Sequence, residues 1–352
     1  MENKKKIILV AGGTGGHVFP ALALAEFLEE KETSHYFLTD QRCKIIMDKY
    51  KVDYKLICCS QIKKNIFLLP IVFSKTLFGL IQSLFFFLNS KPKYVIGFGG
   101  YTCLPPLLAA KILKIPIFVH EQNAVMGQAN RFFSKFSKKV FLGYKFTANS
   151  TKNSHFVGIP IRKEFLKLKK KKLVSEDINI LVLGGSQGAS IFFEFLPKIL
   201  SSIRKRDLKR LVLIQQAKKD QIKILENIYS NYELKFTLKS FFDNISEIMN
   251  ESDIIITRCG ASTLAEIDFL KKPSILFPLP SAKDNHQLKN ANAFARSNKC
   301  LIIEENQISN KNTISDIRNS ILDCQNNKIN CENQKPLTVS EKIFNILNAE
   351  KQ

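Results

Sequence analysis

The sequence predicts an α/β protein of two domains, each built around a doubly wound parallel sheet. The chain has 352 residues, which suits two domains at roughly 150 residues each. Ile7–Val10 and Ile178–Leu183 are continuous apolar runs, typical of strands buried on both faces of a parallel sheet. A glycine cluster and a helical pattern follow each run, so the same strand–turn–helix unit occurs once in each half of the chain.

Further apolar segments alternate with helical patterns of about 10–15 residues, as βαβ crossovers require. The predicted strands of the first half are residues 35–39, 94–98, 115–120 and 140–142, and those of the second half are residues 210–215, 254–257, 274–278 and 300–304. We assign residues 1–160 to the first domain and 161–336 to the second, with a linker at residues 158–160. An amphipathic helix near 339–347 has either domain as its packing partner, and we group residues 337–352 with the first.

The composition excludes several classes of protein. Hydrophobic residues make up 45% and charged residues 24%, which rules out extended disorder, a collagen-like fibre and a small disulfide scaffold.

The net charge of +22 predicts attraction to nucleic acid, acidic lipid or phosphorylated ligands. Only nine of the 53 basic residues are Arg, the usual residue for bidentate base and phosphate contacts, so a dedicated nucleic-acid face is not favoured.

Two further features bear on the cellular compartment. The eight cysteines form no C-x-x-C pair, which gives no indication of a zinc ribbon or a redox-active dithiol. The first residues, MENKKK, lack the apolar core of a signal peptide. We therefore expect reduced thiols in the cytosol.

The segment from Ile66 to Leu88 has sixteen apolar residues among 23 and a single charge, Lys75. Lys75, Gly79 and Gln82/Ser83 form a weakly polar stripe at helical spacing, which indicates an amphipathic helix. Three alternatives remain open: a core helix of the first domain, a membrane-surface patch with basic flanks, and a membrane span.

The loop GGTGGH at residues 12–17 follows the first strand. It is neither G-x-G-x-x-G nor a P-loop, but its glycines let the backbone approach a ligand, and the following helix N-terminus favours negative charge. His17 is a candidate general base for a hydroxyl nucleophile, and its alternative role is helix capping or packing.

Comparable segments occur elsewhere in the chain. Residues 184–188 read GGSQG and predict either a diphosphate cradle that includes Ser186 or a tight turn. Residues 258–266 place small residues at a helix start, and Glu266 one turn later suits the hydroxyls of a ribose, or else favours the helix N-terminus as an acid. Residues 99–101 and 120–123 end neighbouring strands, where open α/β sheets bind ligands.

The sequence holds no D-x-D, no H-E-x-x-H and no G-x-S-x-G pattern. We therefore expect no metal, no cofactor and no serine-hydrolase triad. Negative charge on a leaving diphosphate would then be met by backbone amides, helix dipoles and Arg162.

Taken together, the motifs resemble the MurG family of peptidoglycan glycosyltransferases along nearly the whole chain. Four segments carry the resemblance, in the family's order: AGGTGGHVFPALALA at 11–25, FGGY at 98–101, HEQNAV at 120–125 and GGSQGA at 184–189. The resemblance implies a GT-B fold, in which two Rossmann-like domains face each other across a donor cleft. It also implies an inverting, metal-independent transfer of N-acetylglucosamine from UDP-N-acetylglucosamine to the muramyl 4-hydroxyl of undecaprenyl-pyrophosphoryl-MurNAc-pentapeptide, which converts lipid I to lipid II.

By motif, the resemblance implies which residues bind the donor. These are Thr14, Gly15, Gly16, Asn123, Arg162, Ser186, Ile245, Ala261, Ser262, Thr263, Leu264, Ala265, Glu266 and Gln287. Within this set Arg162 and Ser186 would lie near the diphosphate, and Ile245 would contact the uracil. Glu266 would hold the ribose and Gln287 the sugar hydroxyls.

On the acceptor side, the resemblance implies that His17 is the catalytic base and that Tyr101 and Glu121 shape the site. Some residues depart from the family pattern: Ile159 stands where Asn is usual, Met126 replaces Pro, and Cys259 replaces Ser. None of these changes removes the implied base, acid or arginine.

The resemblance also implies a location. Lipid I would be collected at the cytoplasmic face of the cell (inner) membrane, where the chain would sit peripherally through the Ile66-to-Leu88 segment and its basic charge. The rivals are another GT-B enzyme, such as a different glycolipid transferase or a UDP-N-acetylglucosamine 2-epimerase, and a basic nucleic-acid-binding module. We expect no nucleic-acid partner, and the sequence assigns no protein partner.

Overall fold

The computed structural model describes residues 6–61, 67, 69–168, 176–184, 190–324 and 338–350. The chain divides into two compact units. The first unit is Met1–Lys163 together with Lys335–Gln352, and the second is Glu164–Gln334.

The first unit is built on a seven-stranded sheet in the order β3-β2-β1-β4-β5-β6-β7, with every neighbouring pair parallel. Its strands are β1 (Ile7–Val10), β2 (His35–Thr39), β3 (Tyr54–Leu56), β4 (Tyr94–Gly97), β5 (Ile117–Glu121), β6 (Lys139–Leu142) and β7 (Ser154–Phe156). Its helices are α1 (Gly15–Glu30), α2 (Lys44–Tyr50), α3 (Leu69–Ser90), α4 (Leu104–Ile112), α5 (Gln128–Phe133) and, from the end of the chain, α14 (Val339–Ala349).

The second unit has a six-stranded parallel sheet in the order β10-β9-β8-β11-β12-β13. Its strands are β8 (Ile178–Leu183), β9 (Leu211–Gln216), β10 (Lys235–Lys239), β11 (Ile254–Arg258), β12 (Ser274–Phe277) and β13 (Cys300–Ile302). Helix α6 (Lys163–Leu166) lies at the division between the units, and the helices that follow are α7 (Ser190–Ser201), α8 (Lys205–Leu208), α9 (Lys219–Tyr229), α10 (Ile245–Glu251), α11 (Ala261–Leu270), α12 (His286–Ala295) and α13 (Lys311–Leu322).

In both sheets the first strand is third from one edge, and the chain adds strands on both sides of it. In such sheets the first and fourth strands are neighbours whose connections leave in opposite directions, and ligands bind in the crevice at their carboxyl ends. These strands are β1 and β4 in the first unit, and β8 and β11 in the second. The predicted fold class of two doubly wound parallel sheets is confirmed.

The C-terminal helix α14 packs within the first unit. Ile343 and Leu347 are buried in the same core as Leu22 and Leu28 of α1. Ser340 Oγ donates a hydrogen bond to the backbone oxygen of Ala23 at 3.2 Å. The last helix therefore completes the core that supports α1.

Helix α3 packs in an orientation that its hydrophobicity alone would not suggest. Its buried residues are Val72, Gly79, Ser83 and Phe87, so the stripe that packs on the domain contains Gly79 and Ser83 of the predicted polar stripe but not Lys75, which is exposed. Gln82 Oε1 accepts the backbone N–H of Cys58 at 2.9 Å, which anchors that stripe. Most of the large apolar side chains are consequently exposed.

Helix α3 is also long and apolar enough to cross a membrane, and 22% of its most apolar 18-residue window is buried. A core helix would have most of its surface covered by the domain. Helix α3 therefore contributes one face, with Phe87, to the core of the first unit, while the described residues leave the rest of the helix uncovered.

Gly79 is the position at which α3 approaches the domain most closely. A Cβ added there would overlap the carbonyl oxygen of Cys58 and lie 3.2 Å from Ile57 Cγ2. We expect Gly79→Ala to lower the free energy of unfolding by about 1–3 kcal/mol, because overpacking outweighs the better helix propensity of Ala. Chemical denaturation measures this, with Ser74→Ala on the exposed face of α3 as control. A Gly79→Ala chain as stable as the control would contradict this packing.

Candidate active site

The loop between β1 and α1 presents backbone to the crevice of the first sheet. Gly13 has a φ of +87°, which favours glycine, and a Cβ there would lie 2.7 Å from Arg42 Nη2. Helix α1 begins at Gly15, and the exposed Thr14 before it makes no side-chain cap. The uncompensated positive end of the helix dipole therefore faces the carboxyl edge of the sheet, where it favours an anion.

The loop after β4 lies against His17. Gly99 and Gly100 have φ values of +93° and +76°. A Cβ on Gly99 would lie 3.3 Å from His17 Cε1, and one on Gly100 would lie 3.4 Å from His17 Cδ2. Both glycines are thus required by backbone conformation, and they leave room for the imidazole ring beside the loop. The structure brings together the two predicted segments of the first unit.

A chain of hydrogen bonds leads from His17 into the core. His17 Nδ1 lies 3.0 Å from Gln122 Oε1. Gln122 Nε2 lies 3.0 Å from His120 Nδ1 and 3.1 Å from the backbone oxygen of His120. His120 Nε2 lies 3.0 Å from the carbonyl oxygen of Gly158. His17, at the edge of the crevice, is therefore tied to the end of β5 and to the segment after β7.

His120 is fully buried and stacks on Phe98 with ring centroids 5.5 Å apart. Burial penalises the charged imidazolium and lowers the pKa of His120 to about 4, although the hydrogen bond with Gly158 opposes the shift. His120 is therefore neutral at physiological pH.

Glu121 is a buried acidic residue whose two side-chain oxygens accept hydrogen bonds from its own loop and from α5. Oε1 accepts the backbone N–H and the side-chain Nδ2 of Asn123, at 2.9 and 3.0 Å. Oε2 accepts the backbone N–H of Gly127 at 2.9 Å and Asn130 Nδ2 at 2.8 Å. With four donors bound, Glu121 fixes the shape of the loop that carries Asn123.

An ion pair that the sequence did not point to supports the first glycine loop. Asp40, at the end of β2, accepts hydrogen bonds from Arg42 Nη2 at 2.8 Å and from Thr102 Oγ1 at 2.6 Å. Burial alone would raise the pKa of Asp40, but these hydrogen bonds and the charge of Arg42 outweigh it, so the pKa lies below its ordinary value.

The other face of Arg42 covers Tyr101. Its guanidinium lies 4.5 Å from the centroid of the Tyr101 ring. Burial raises the pKa of the Tyr101 hydroxyl to about 12, so Tyr101 is protonated at physiological pH. A half-exposed cation is thus held rigidly between the two glycine loops of the first unit.

Arg162 belongs to a different cluster of the first unit. It is buried, its Nη1 donates to Tyr50 Oη at 2.9 Å, and its guanidinium lies 4.5 Å from the centroid of the Phe19 ring. These contacts hold Arg162 against α1, which begins at the glycine loop.

In the second unit the described part of the crevice is organised by Gln287. Its Oε1 accepts the backbone N–H groups of Cys259 at 3.1 Å and Leu279 at 3.0 Å, which joins the ends of β11 and β12. Because the oxygen is occupied in this way, the amide nitrogen of Gln287 remains to donate to a ligand. Burial raises the pKa of the Cys259 thiol, so Cys259 is a neutral, buried side chain.

The other predicted donor-binding residues of the second unit lie at helix starts. Helix α11 begins at Ala261, its N-cap Gly260 offers no side-chain cap, and Glu266 is buried on it. Ser262, Thr263, Leu264 and Ala265 fill the turns between Ala261 and Glu266. Ile245 is the first residue of α10. Ser186 lies outside the described residues.

Arg258, at the end of β11, has a structural role. It donates to the backbone oxygens of Phe277 and Pro278 at 3.3 and 3.4 Å, and it pairs with Glu305 at 2.6 Å. Within the part of the chain that the structure describes, no group of three or more His, Cys, Asp or Glu side chains is placed to hold a metal ion.

Family models match both units. The glycosyltransferase family 28 N-terminal domain matches residues 7–142, and the family 28 C-terminal domain matches residues 179–345.

Two curated relatives carry the name UDP-N-acetylglucosamine–N-acetylmuramyl-(pentapeptide) pyrophosphoryl-undecaprenol N-acetylglucosamine transferase. The one from Rickettsia bellii is 40% identical over 298 residues, which cover 82% of this chain and 82% of the relative. The one from Rickettsia canadensis is 40% identical over 314 residues, covering 87% of each chain.

Solved structures share the fold. The crystal structure of Acinetobacter baumannii MurG matches 98% of this chain and 99% of its own, with a TM-score of 0.73 and 24% identity. The UDP-GlcNAc 2-epimerase from Methanocaldococcus jannaschii, in complex with UDP-GlcNAc and UDP, matches 98% of this chain and 99% of its own, with a TM-score of 0.62 and 16% identity.

The buried neutral state of His120 predicts a pH-dependent stability. The unfolded chain takes up a proton at this histidine below its ordinary pKa of about 6.5, whereas the folded chain does so only near pH 4. Stability contributed by His120 is therefore lost as pH falls from about 6.5 to about 4, by up to about 3 kcal/mol.

The free energy of unfolding of wild type and His120→Asn, measured across that interval, checks this. The advantage of wild type over the variant should shrink as the pH falls. His35→Asn, a partly exposed histidine of the same unit, serves as control. A constant difference between wild type and His120→Asn would refute the neutral buried state.

Proposed function

This chain belongs to glycosyltransferase family 28, and we infer that it catalyses the reaction for which its relatives are named. It transfers N-acetylglucosamine from UDP-N-acetylglucosamine to the muramyl 4-hydroxyl of undecaprenyl-pyrophosphoryl-MurNAc-pentapeptide, a step of peptidoglycan synthesis. The observation that carries this conclusion is 40% identity to a transferase of that name over 298 residues, spanning both units.

His17 is the general base of the proposed mechanism. The acceptor hydroxyl gives its proton to His17 while its oxygen attacks the anomeric carbon, and the bond from that carbon to the diphosphate of UDP breaks in the same displacement. The configuration at the anomeric carbon inverts, and UDP leaves with the bonding electron pair. The position of His17 at the carboxyl edge of the first sheet, beside Gly99 and Gly100, supports this role.

The donor-binding role of the second unit rests on backbone groups. The uncapped start of α11 at Ala261 offers amides to a phosphate, and the buried Glu266 suits the ribose hydroxyls. The amide nitrogen of Gln287 would donate to sugar oxygens, and the first amide of α10, at Ile245, would meet the uracil. Ser186 completes this proposed set.

On the first unit the proposed donor contacts are Thr14, Gly15 and Gly16 at the start of α1, with Asn123 towards the transferred sugar. Arg162, packed against Phe19 of α1, adds positive charge behind this helix start. The leaving diphosphate is then stabilised by oriented backbone dipoles and arginine charge.

Helix α3 is the proposed contact with the membrane. Phe73 is 70% exposed and Phe85 is 65% exposed, and Leu77, Ile81 and Leu88 lie open with them. Lys75 on the helix and Lys91 just after it are exposed as well. An outward apolar face with basic residues beside it suits an anionic lipid surface, so we place the enzyme peripherally at the cytoplasmic face of the inner membrane.

An epimerase is the rival that shares this fold, and the need for an acceptor separates the two activities. We expect the purified chain to release UDP from UDP-N-acetylglucosamine only when a lipid I analogue is present, and the labelled sugar should appear in the lipid product. A coupled UDP assay with radiolabelled donor measures both. UDP release, or formation of N-acetylmannosamine, in the absence of acceptor would contradict the transferase assignment.

Loss of the base should affect turnover. His17→Ala should lower kcat by about 10²–10⁴-fold, the usual range for lost general base catalysis, with little change in the KM for UDP-N-acetylglucosamine. Steady-state kinetics measure this. His35→Ala is the control, because it removes an imidazole from the start of β2 in the same unit. Normal turnover by His17→Ala would reject the role of His17.

If α3 docks on the membrane, substitutions on its exposed face should weaken lipid binding and leave the chemical reaction unaffected. Phe73→Asp with Phe85→Asp should weaken binding to phosphatidylglycerol vesicles by at least about tenfold, which corresponds to about 1.4 kcal/mol. Turnover of a short-chain, water-soluble acceptor should be unchanged. Vesicle sedimentation and kinetics measure the two effects, with Ile224→Asp and Phe269→Asp of the second unit as a matched control. Equal vesicle binding by both double variants would refute docking through α3.

A further inference from the structure

We propose that Gln122 and His120 are positioning residues that hold His17 in its Nδ1–H tautomer and so keep Nε2 open to accept the proton of the acceptor hydroxyl. The inference rests on the proposed function in one respect, the assignment of His17 as the base. The tautomer itself follows from the hydrogen bonds of the first unit.

The argument begins at Gly158. Its carbonyl oxygen can only accept a hydrogen bond, so His120 Nε2, at 3.0 Å, must carry the proton. His120 is fully buried and neutral, and its Nδ1 therefore bears a lone pair. That lone pair requires a donor, which Gln122 Nε2 supplies at 3.0 Å.

The orientation of the Gln122 amide has a second, independent support. Gln122 Nε2 also lies 3.1 Å from the backbone oxygen of His120, which accepts whatever the protonation of the ring. Exchanging the amide oxygen and nitrogen would set oxygen against oxygen there. Gln122 is itself 1% exposed, so no solvent competes for these contacts.

With its nitrogen committed inward, Gln122 presents Oε1 to His17. This oxygen is an acceptor only and lies 3.0 Å from His17 Nδ1, so Nδ1 must donate. In neutral His17 the proton is then on Nδ1, and Nε2 holds the lone pair. Among the described residues, the bond to Gln122 is the one hydrogen bond that the His17 ring makes.

The partner of His17 is an amide, although a carboxylate is adjacent in sequence. Glu121 is turned away and bound by Asn123, Gly127 and Asn130. A carboxylate on Nδ1 would stabilise the imidazolium strongly, whereas an amide oxygen orients the ring without adding a charge. The arrangement therefore orients the His17 ring at the edge of the crevice without placing a second charge beside it.

Histidine tautomers can be observed directly by long-range ¹H–¹⁵N correlation NMR of the full chain labelled with ¹⁵N-histidine. The chain has five histidines, which makes assignment by single substitution practical. At about pH 8, above the ordinary histidine pKa, His17 should show the Nδ1–H pattern and His120 the Nε2–H pattern. His35 and His286 donate from Nδ1 to backbone oxygens at 3.1 and 2.8 Å and serve as internal references. A wild-type His17 in the Nε2–H form would overturn the proposal, whatever the variants do.

Two substitutions at Gln122 test whether its side chain sets the tautomer of His17. Gln122→Met keeps the size of the side chain but cannot accept from His17, so His17 should lose its pure Nδ1–H pattern. Gln122→Glu keeps an acceptor facing His17 Nδ1 but loses the donor to His120, so His17 should stay protonated at Nδ1 while His120 should lose its pure Nε2–H pattern. An unchanged His17 tautomer in a folded Gln122→Met chain would also overturn the proposal.

Kinetics supply the functional readout. Gln122→Met should lower kcat by roughly 10- to 100-fold, part of the full effect of losing the base, and leave the KM for UDP-N-acetylglucosamine unchanged. Combining it with His17→Ala should cost nothing beyond His17→Ala alone, because the two residues act as one unit. Gln41→Met, at an exposed glutamine of the same unit, is the matched control.

The outcomes separate the two claims. If His17→Ala turns over normally while the NMR patterns are as expected, the base assignment fails and the hydrogen-bond chain stands. If His17→Ala turns over about 10²–10⁴-fold more slowly and adding Gln122→Met lowers kcat further by its full single-variant factor, the positioning role fails and the base assignment stands.

Discussion

The reversal of strand order between β1 and β4 is the constraint on which the site of the first unit depends. It leaves a crevice at the carboxyl edge of the sheet, where the loops after the two strands meet. Gly99 and Gly100 adopt backbone conformations with positive φ and carry no side chain, and this is what allows the His17 ring to lie there. The glycines of this sequence thus create space for a side chain as much as for a ligand.

Buried polar groups around that crevice are satisfied in two distinct ways. Glu121 accepts three hydrogen bonds from donors of its own loop and one from Asn130 of α5. Gln122 and His120 instead form a chain of hydrogen bonds that connects the carbonyl oxygen of Gly158 to His17. Neighbouring residues of one short motif therefore serve different purposes: one fixes the loop, and the others orient the residue at the crevice. Helix α3 shows a similar division, since it packs closely at Gly79 and Ser83 and leaves most of its large apolar side chains for another surface.

The parallel core of both sheets could be predicted from sequence because strands buried on both faces are continuous apolar runs. Strands β3 and β7 were missed because each has three residues and no apolar run, and β10 was missed because its side chains alternate in exposure at a sheet edge.

The glycine loops and His17 were found from motifs. The Asp40–Arg42 pair and the partners of Arg162 were not, because those contacts join residues that are distant in sequence or lie outside any glycine pattern. The orientation of α3 could not be predicted from hydrophobicity, since the stripe that packs is the less apolar one.

The central claim is that one histidine, His17, promotes a single displacement at the anomeric carbon. The most direct measurement is the anomeric configuration of the transferred sugar, determined by NMR of the purified product made from UDP-α-N-acetylglucosamine. A single displacement by a base-activated hydroxyl gives a β-linked product. An α-linked product would require two displacements or a front-face reaction, and it would contradict the role assigned to His17.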